Sequence, residues 1–184
     1  MPTPARLVAR LIARLLGLVV ALSWLGLSAA MAAGDPPKKV WRGAWTLEMD
    51  RYDRPWLTFN DTNHKTVFRF GCGTHYELDT VYPGEAPKQD HTEATITIGN
   101  GKTQMDFAGF TYAAPENFPP DTSWFNQADL GHPDFTDDVW GALEDQFLDL
   151  LSSGQPLTVS AAGKSYVLPP TRALRWRARF QKVC

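Results

Sequence analysis

The sequence predicts a mainly β (α+β) domain: an antiparallel β-sandwich or strongly bent sheet of about 7–9 strands, with one amphipathic helix packed across it over about 137–152. Three observations carry that prediction. Short runs alternate apolar and polar residues and are separated by turn formers. Asn100-Gly101 interrupts one such alternation. A single run, Val139, Trp140, Leu143, Phe147, Leu150 and Leu151, recurs instead at steps of three and four.

In chain order, Val40–Met49 reads as the first strand, with Trp41, Trp45, Leu47 and Met49 on one parity and Arg42, Thr46 and Glu48 on the other. Asp50–Pro55 is a polar turn, and Trp56–Phe59 a short strand. Asn60–His64 holds turn formers. Lys65–Cys72 follows, placing Phe68, Phe70 and Cys72 on one face. It pairs in a predicted hairpin with Tyr76–Tyr82, where Tyr76, Leu78 and Tyr82 face in and Glu77 and Asp79 face out. Ala94–Phe107 is a second hairpin across Asn100-Gly101, whose pair suits a two-residue type I′ turn with positive φ at both positions.

The pattern fails between Gly109 and Phe135, a proline-containing stretch rich in aromatic residues. A loop of that length inside a domain is usually functional or mobile. Thr136 then caps the helix, Asp137 and Asp138 suit its N-terminal dipole, and Gly154 ends it. Leu157–Ser160 and Ser165–Leu168 form a third hairpin, and Pro169-Pro170 precedes a closing strand over Leu174–Cys184. In that strand the apolar parity, Leu174, Trp176, Ala178 and Phe180, also holds Cys184.

Arg6, Arg10 and Arg14 precede an apolar run from Leu15 to Ala33 that contains Ala30-Met31-Ala32, so residues 1–32 read as a signal peptide. Residues 33–39 read as a linker and 40–184 as a single exported domain. The competing reading is an uncleaved anchor, since about 20 apolar residues span a bilayer. Ser23, Gly26, Ser28 and the terminal alanines favour cleavage, which leaves no stable membrane span and a periplasmic or secreted product. Beyond the leader, 15 basic residues face 20 acidic ones, a net charge of −5 that argues against a nucleic-acid partner. Two cysteines in an exported chain on core-facing parities predict a Cys72–Cys184 disulfide. Closing that loop removes unfolded-state entropy worth roughly 4–5 kcal/mol on the loop-entropy model.

No catalytic residue, metal site or cofactor is assigned. His64, His75, His91 and His132 lie at no ligand spacing, and there is no Gly-x-Ser-x-Gly or Cys-x-x-Cys motif. Asp129, His132, Asp134, Asp137 and Asp138 lack the spacing of a calcium loop. The binding candidates are Tyr112, Phe118, Trp124 and Phe125 in the aromatic stretch, with Arg175, Arg177 and Arg179 on one face of the closing strand. Large rigid rings gain contact area at low entropic cost; the competing reading is that they cover an edge of the sheet. The arginines require acidic neighbours, such as Glu77, Asp79 or Glu48, or an anionic partner. The expectation is a non-catalytic periplasmic or secreted interaction or accessory protein, stabilised by one disulfide and acting on a protein partner in the cell envelope. The alternatives are a small envelope hydrolase whose site is assembled only by the fold, and a carrier of a lipid or small apolar ligand.

Overall fold

The computed structural model describes residues 38–72, 76–85, 91–127, 137–172 and 175–183. Their alternating runs form β1 (Lys39–Val40), β2 (Gly43–Met49), β3 (Pro55–Asp61), β4 (Thr66–Cys72), β5 (Tyr76–Tyr82), β6 (Thr92–Gly99), β7 (Gln104–Ala113), β8 (Ser123–Asn126), β9 (Leu157–Ala161) and β10 (Lys164–Leu168). Two helices accompany them, α1 (Asp137–Leu151) and α2 (Arg177–Val183). All ten strands make one sheet in the order β1-β10-β9-β6-β7-β8-β5-β4-β3-β2. Its neighbours are antiparallel except β1 and β10, which are parallel.

That order forces curvature. β1 and β2 lie at opposite ends of the sheet yet are separated in the chain only by Trp41 and Arg42. The chain passes directly from one end to the other, and the sheet is curled into a half-barrel. Trp41 N donates to Val167 O at 2.9 Å, and Trp45 Nε1 donates across the same seam to Pro169 O at 2.9 Å. On the concave side, the Phe147 ring of α1 lies 4.8 Å from Phe70 on β4 and 4.9 Å from Phe107 on β7. In a flat sheet those strands would stand about 14 Å apart, so one ring touches both only because the sheet wraps around it.

The interior is filled by side chains that cross it. Tyr166 on β10 places its hydroxyl 2.6 Å from Thr80 Oγ1 and donates to Val81 O at 2.8 Å, both on β5. Thr80 Oγ1 donates in turn to Val67 O at 3.0 Å. Around this buried polar contact lie Leu57, Phe59, Phe68, Leu78, Ile96, Ile98, Phe125 and Leu157, all fully buried.

The mainly β class, the bent sheet and the helix at 137–151 match the sequence-based expectation, but three particulars differ. The strand count is ten, because the first predicted strand breaks at Trp41-Arg42 and the aromatic stretch supplies the end of β7 and all of β8. The closing strand is instead the helix α2. Its only β-branched residue is the last, Val183, the rest are mostly helix formers, and Trp176 and Phe180 satisfy a four-residue step as well as alternation. Ala178, core-facing on the strand reading, is exposed.

The Asn100-Gly101 hairpin forms, but with Gly99 paired to Gln104 across a four-residue loop. The Asn100 carboxamide accepts from Lys102 N and Thr103 N at 3.0 and 2.9 Å, and only Gly101 takes positive φ, +84°. The turn with two positive φ values is Ala162-Gly163, at +49° and +73° between paired Ala161 and Lys164. Among the described residues no helix is long and apolar enough to cross a membrane. The predicted signal peptide, Thr136, Asp129, His132, Asp134, Cys184 and the side chain of Cys72 lie outside the described residues.

Candidate interaction surface

The turn between β2 and β3 is built on one carboxylate. Asp50 Oδ1 accepts the backbone N–H groups of Tyr52 at 2.8 Å and Arg54 at 3.0 Å, and Asp50 Oδ2 accepts Arg54 Nε at 2.7 Å. Backbone bonds from Asp50 N to Arg54 O and from Asp53 N to Asp50 O close the loop, with Asp53 at φ +59°. Asp and Asn hold such turns because a short side-chain oxygen reaches the backbone two residues on. Desolvation pushes the Asp50 carboxyl up, but the N–H groups of Arg54 and Tyr52 and the Arg54 guanidinium outweigh it and hold the pKa below its ordinary value.

This fixed turn lifts Tyr52 into solvent, where it is 62 % exposed. The guanidinium carbons of Arg51 and Arg54 lie 4.7 and 5.1 Å from the centre of its ring. Met49, another of the exposed large apolar side chains, ends β2 beside it. Aromatic, arginine and methionine side chains together match the composition of the energetic centres of protein interfaces.

The surface continues over the outer face of β3, β4 and β5. Trp56 lies flat over Gly71, where a Cβ would stand 2.4 Å from its ring, so the glycine makes room for the indole. Arg69 sits 4.8 Å from the Trp56 ring centre and donates from Nε to Asp79 Oδ2 at 2.5 Å. Asp79 Oδ1 accepts from Asn126 Nδ2 on β8. The Asp79 side chain is 1 % exposed and that of Arg69 44 %, so the arginine is anchored at one edge and open at the other. Glu77 is raised above its ordinary pKa by desolvation and by the charge of Asp79, against the opposing pull of Arg69 and Arg54. Both Asp79 oxygens are thus engaged in hydrogen bonds and buried. Among the described residues no group of three or more His, Cys, Asp or Glu side chains could hold a metal ion.

The residues singled out from the sequence fall elsewhere. Phe125 is fully buried and Trp124 is 6 % exposed, with the Phe118 ring tilted against that of Trp124 at 3.7 Å. Tyr112 is half-buried and meets His91 edge-on at 4.6 Å. Phe118 also lines a surface groove of about 500 Å³ with Lys65, Pro119 and Pro120. The predicted arginine face is divided: Arg177 binds Asp145 at 3.0 Å, and Asp149, both on α1, whereas Arg175 and Arg179 point to solvent. Its acidic neighbours are helical and not the strand carboxylates Glu77, Asp79 or Glu48. The surface around Tyr52 was missed because a polar turn carries no motif. The signals available were the density of arginine and aromatic residues between Arg51 and Trp56, and the pairing of Arg69 opposite Asp79. Compared with protein-family models, curated proteins and solved structures, the chain matches none.

Proposed function

We propose that this chain is an exported, non-catalytic interaction module that docks a protein partner in the cell envelope through Met49, Arg51, Tyr52, Arg54, Trp56 and Arg69. The observation that carries the reading is Tyr52, 62 % exposed, held on a turn pinned by Asp50 and flanked by two guanidinium groups. A turn fixed before binding loses little entropy on docking. The Arg6, Arg10, Arg14 and Leu15–Ala33 pattern supports export.

The same proposal includes a Cys72–Cys184 disulfide. Phe180 stacks on Phe70 at 5.7 Å, which packs α2 against the strand that carries Cys72. Gln181 Nε2 donates to Asp145 while Arg177 reaches back to Asp149, so α2 runs toward the level of Glu144. Glu144 accepts from the Tyr76 hydroxyl, and Tyr76 is the cross-strand partner of Cys72. These contacts support a chain end directed at Cys72. Intact mass before and after reduction, with thiol alkylation, tests it: two alkylated thiols only after reduction agree with the bridge, and two reactive thiols beforehand refute it.

The docking test is partner capture from envelope extracts by the wild-type chain, by Arg51→Ser with Tyr52→Ser, and by Lys102→Ser as an exposed control. Recovery by wild type and control but not by the double variant, at unchanged melting temperature, is the expected result. Equal recovery by all three, or none by the wild type, refutes the surface.

A further inference from the structure

The C-terminal helix separates its cations. Arg177 faces α1, where Asp145 and Asp149 neutralise it. Arg175, in the turn leading into α2, and Arg179 and Lys182, in the helix, follow one another at steps of four and three residues and are all exposed. Arg179 and Lys182 share one flank of the helix at a three-residue step, and Arg175 precedes them in the turn that leads into it. Among the described residues none of the three has a carboxylate within ion-pair distance. The helix is fastened from the other side by Phe180, 1 % exposed and stacked on Phe70, with Trp176 half-buried beside it.

We propose that this flank of α2 is a docking surface for anionic phospholipid. Three features favour a lipid surface over a small anion or an extended acidic peptide. The cations stand exposed on a helix whose other side is buried at Phe180, which makes them a ridge, and small ligands need concavity. A half-exposed tryptophan borders the ridge, and tryptophan with arginine and lysine is the anchoring composition of membrane interfaces. Beyond the leader the chain is acidic, with a net charge of −5, so attraction to a negative surface comes from local clusters of cations, of which this is one. The site shares no residue with the surface around Tyr52, so one can fail without the other.

The test uses the chain from Ala33 onward, since the sheet and both helices lie within residues 38–184. Partition is measured by co-sedimentation with vesicles of phosphatidylglycerol mixed into phosphatidylcholine, and with phosphatidylcholine alone. Each basic side chain near an anionic surface strengthens partition by about five-fold, so Arg175→Gln/Arg179→Gln/Lys182→Gln should weaken it about 100-fold. Lys38→Gln/Lys102→Gln should leave it unchanged. Wild-type binding should require phosphatidylglycerol and fall as salt is raised. No wild-type binding to anionic vesicles at low salt, equal loss in the two variants, or a preference for poly-glutamate over vesicles would overturn the proposal. Should the triple variant lose its melting transition, Arg179→Glu alone provides the comparison, with at least the five-fold loss of one cation expected and no loss overturning the site.

Discussion

Replacing Phe180 by alanine and, separately, Ala178 by glutamate tests the most consequential departure from the sequence-based reading, the helical tail. Phe180 is 1 % exposed and stacks on Phe70, which itself meets Phe147 and Tyr76. Its removal deletes a whole buried ring from the point where α2 and α1 meet the concave face of β4, and such truncations cost about 3–5 kcal/mol. For a domain of roughly 150 residues, that is a fall in melting temperature of about 10 °C. Loss of packing alone does not distinguish helix from strand, because both readings bury Phe180. Ala178 does. It is exposed on α2, so Ala178→Glu should change stability by about 0.5 kcal/mol or less. On a closing strand the same change would bury an unpaired carboxylate and cost several times more. The assay is thermal unfolding followed by circular dichroism, on both variants, with and without reductant so that a tethered tail does not mask the loss. A large destabilisation by Ala178→Glu refutes the helical tail, and none by Phe180→Ala refutes its packing on the sheet.

Three further outcomes follow from the geometry. Tyr166→Phe leaves the Val81 carbonyl without the buried hydroxyl that donates to it, and chemical denaturation should show a loss of about 1–3 kcal/mol; a neutral result would mean that the interior contact across the barrel is not made. Ala162→Asn places a residue tolerant of left-handed backbone where φ is +49°, and should stabilise the β9–β10 hairpin by up to about 1 kcal/mol; destabilisation would argue against that turn. Because the Glu77 pKa is raised by desolvation and by Asp79, its favourable contribution is complete below its unfolded value and is lost as pH rises through the folded one. The melting temperature of Glu77→Gln relative to wild type should therefore climb between about pH 4 and neutrality, and a constant difference would refute the shift.

Much of the fold was legible because strands advertise themselves locally. Phe68 and Phe70, Ile96 and Ile98, and Leu157 and Val159 alternate with polar neighbours and are buried as that alternation requires. The helix of Val139 to Leu151 was equally plain. The tail was not, since Trp176, Ala178 and Phe180 satisfy a strand period while Trp176 and Phe180 also satisfy a helical one; the packing of Phe180 on Phe70 decides between them. Turn type at Asn100-Gly101 was misjudged because the asparagine side chain binds Lys102 N and Thr103 N and spares its own backbone from positive φ. The rings of Trp124 and Phe125 looked available for binding because sequence counts aromatic residues without saying which face of β8 they occupy; Phe125 points into the core. Conversely, Tyr52 drew no notice within a polar turn, and its exposure depends on hydrogen bonds to Asp50 that only the folded backbone reveals.

The decisive measurement is the affinity of the captured partner for wild type and for Tyr52→Ala, by titration calorimetry on purified components. A ring at the centre of the docking surface predicts a loss of about 2 kcal/mol or more, about 30-fold in Kd, with the melting temperature unchanged. A Kd within about two-fold of wild type, below the energy of any interface anchor, would contradict the assignment of that turn as the docking surface.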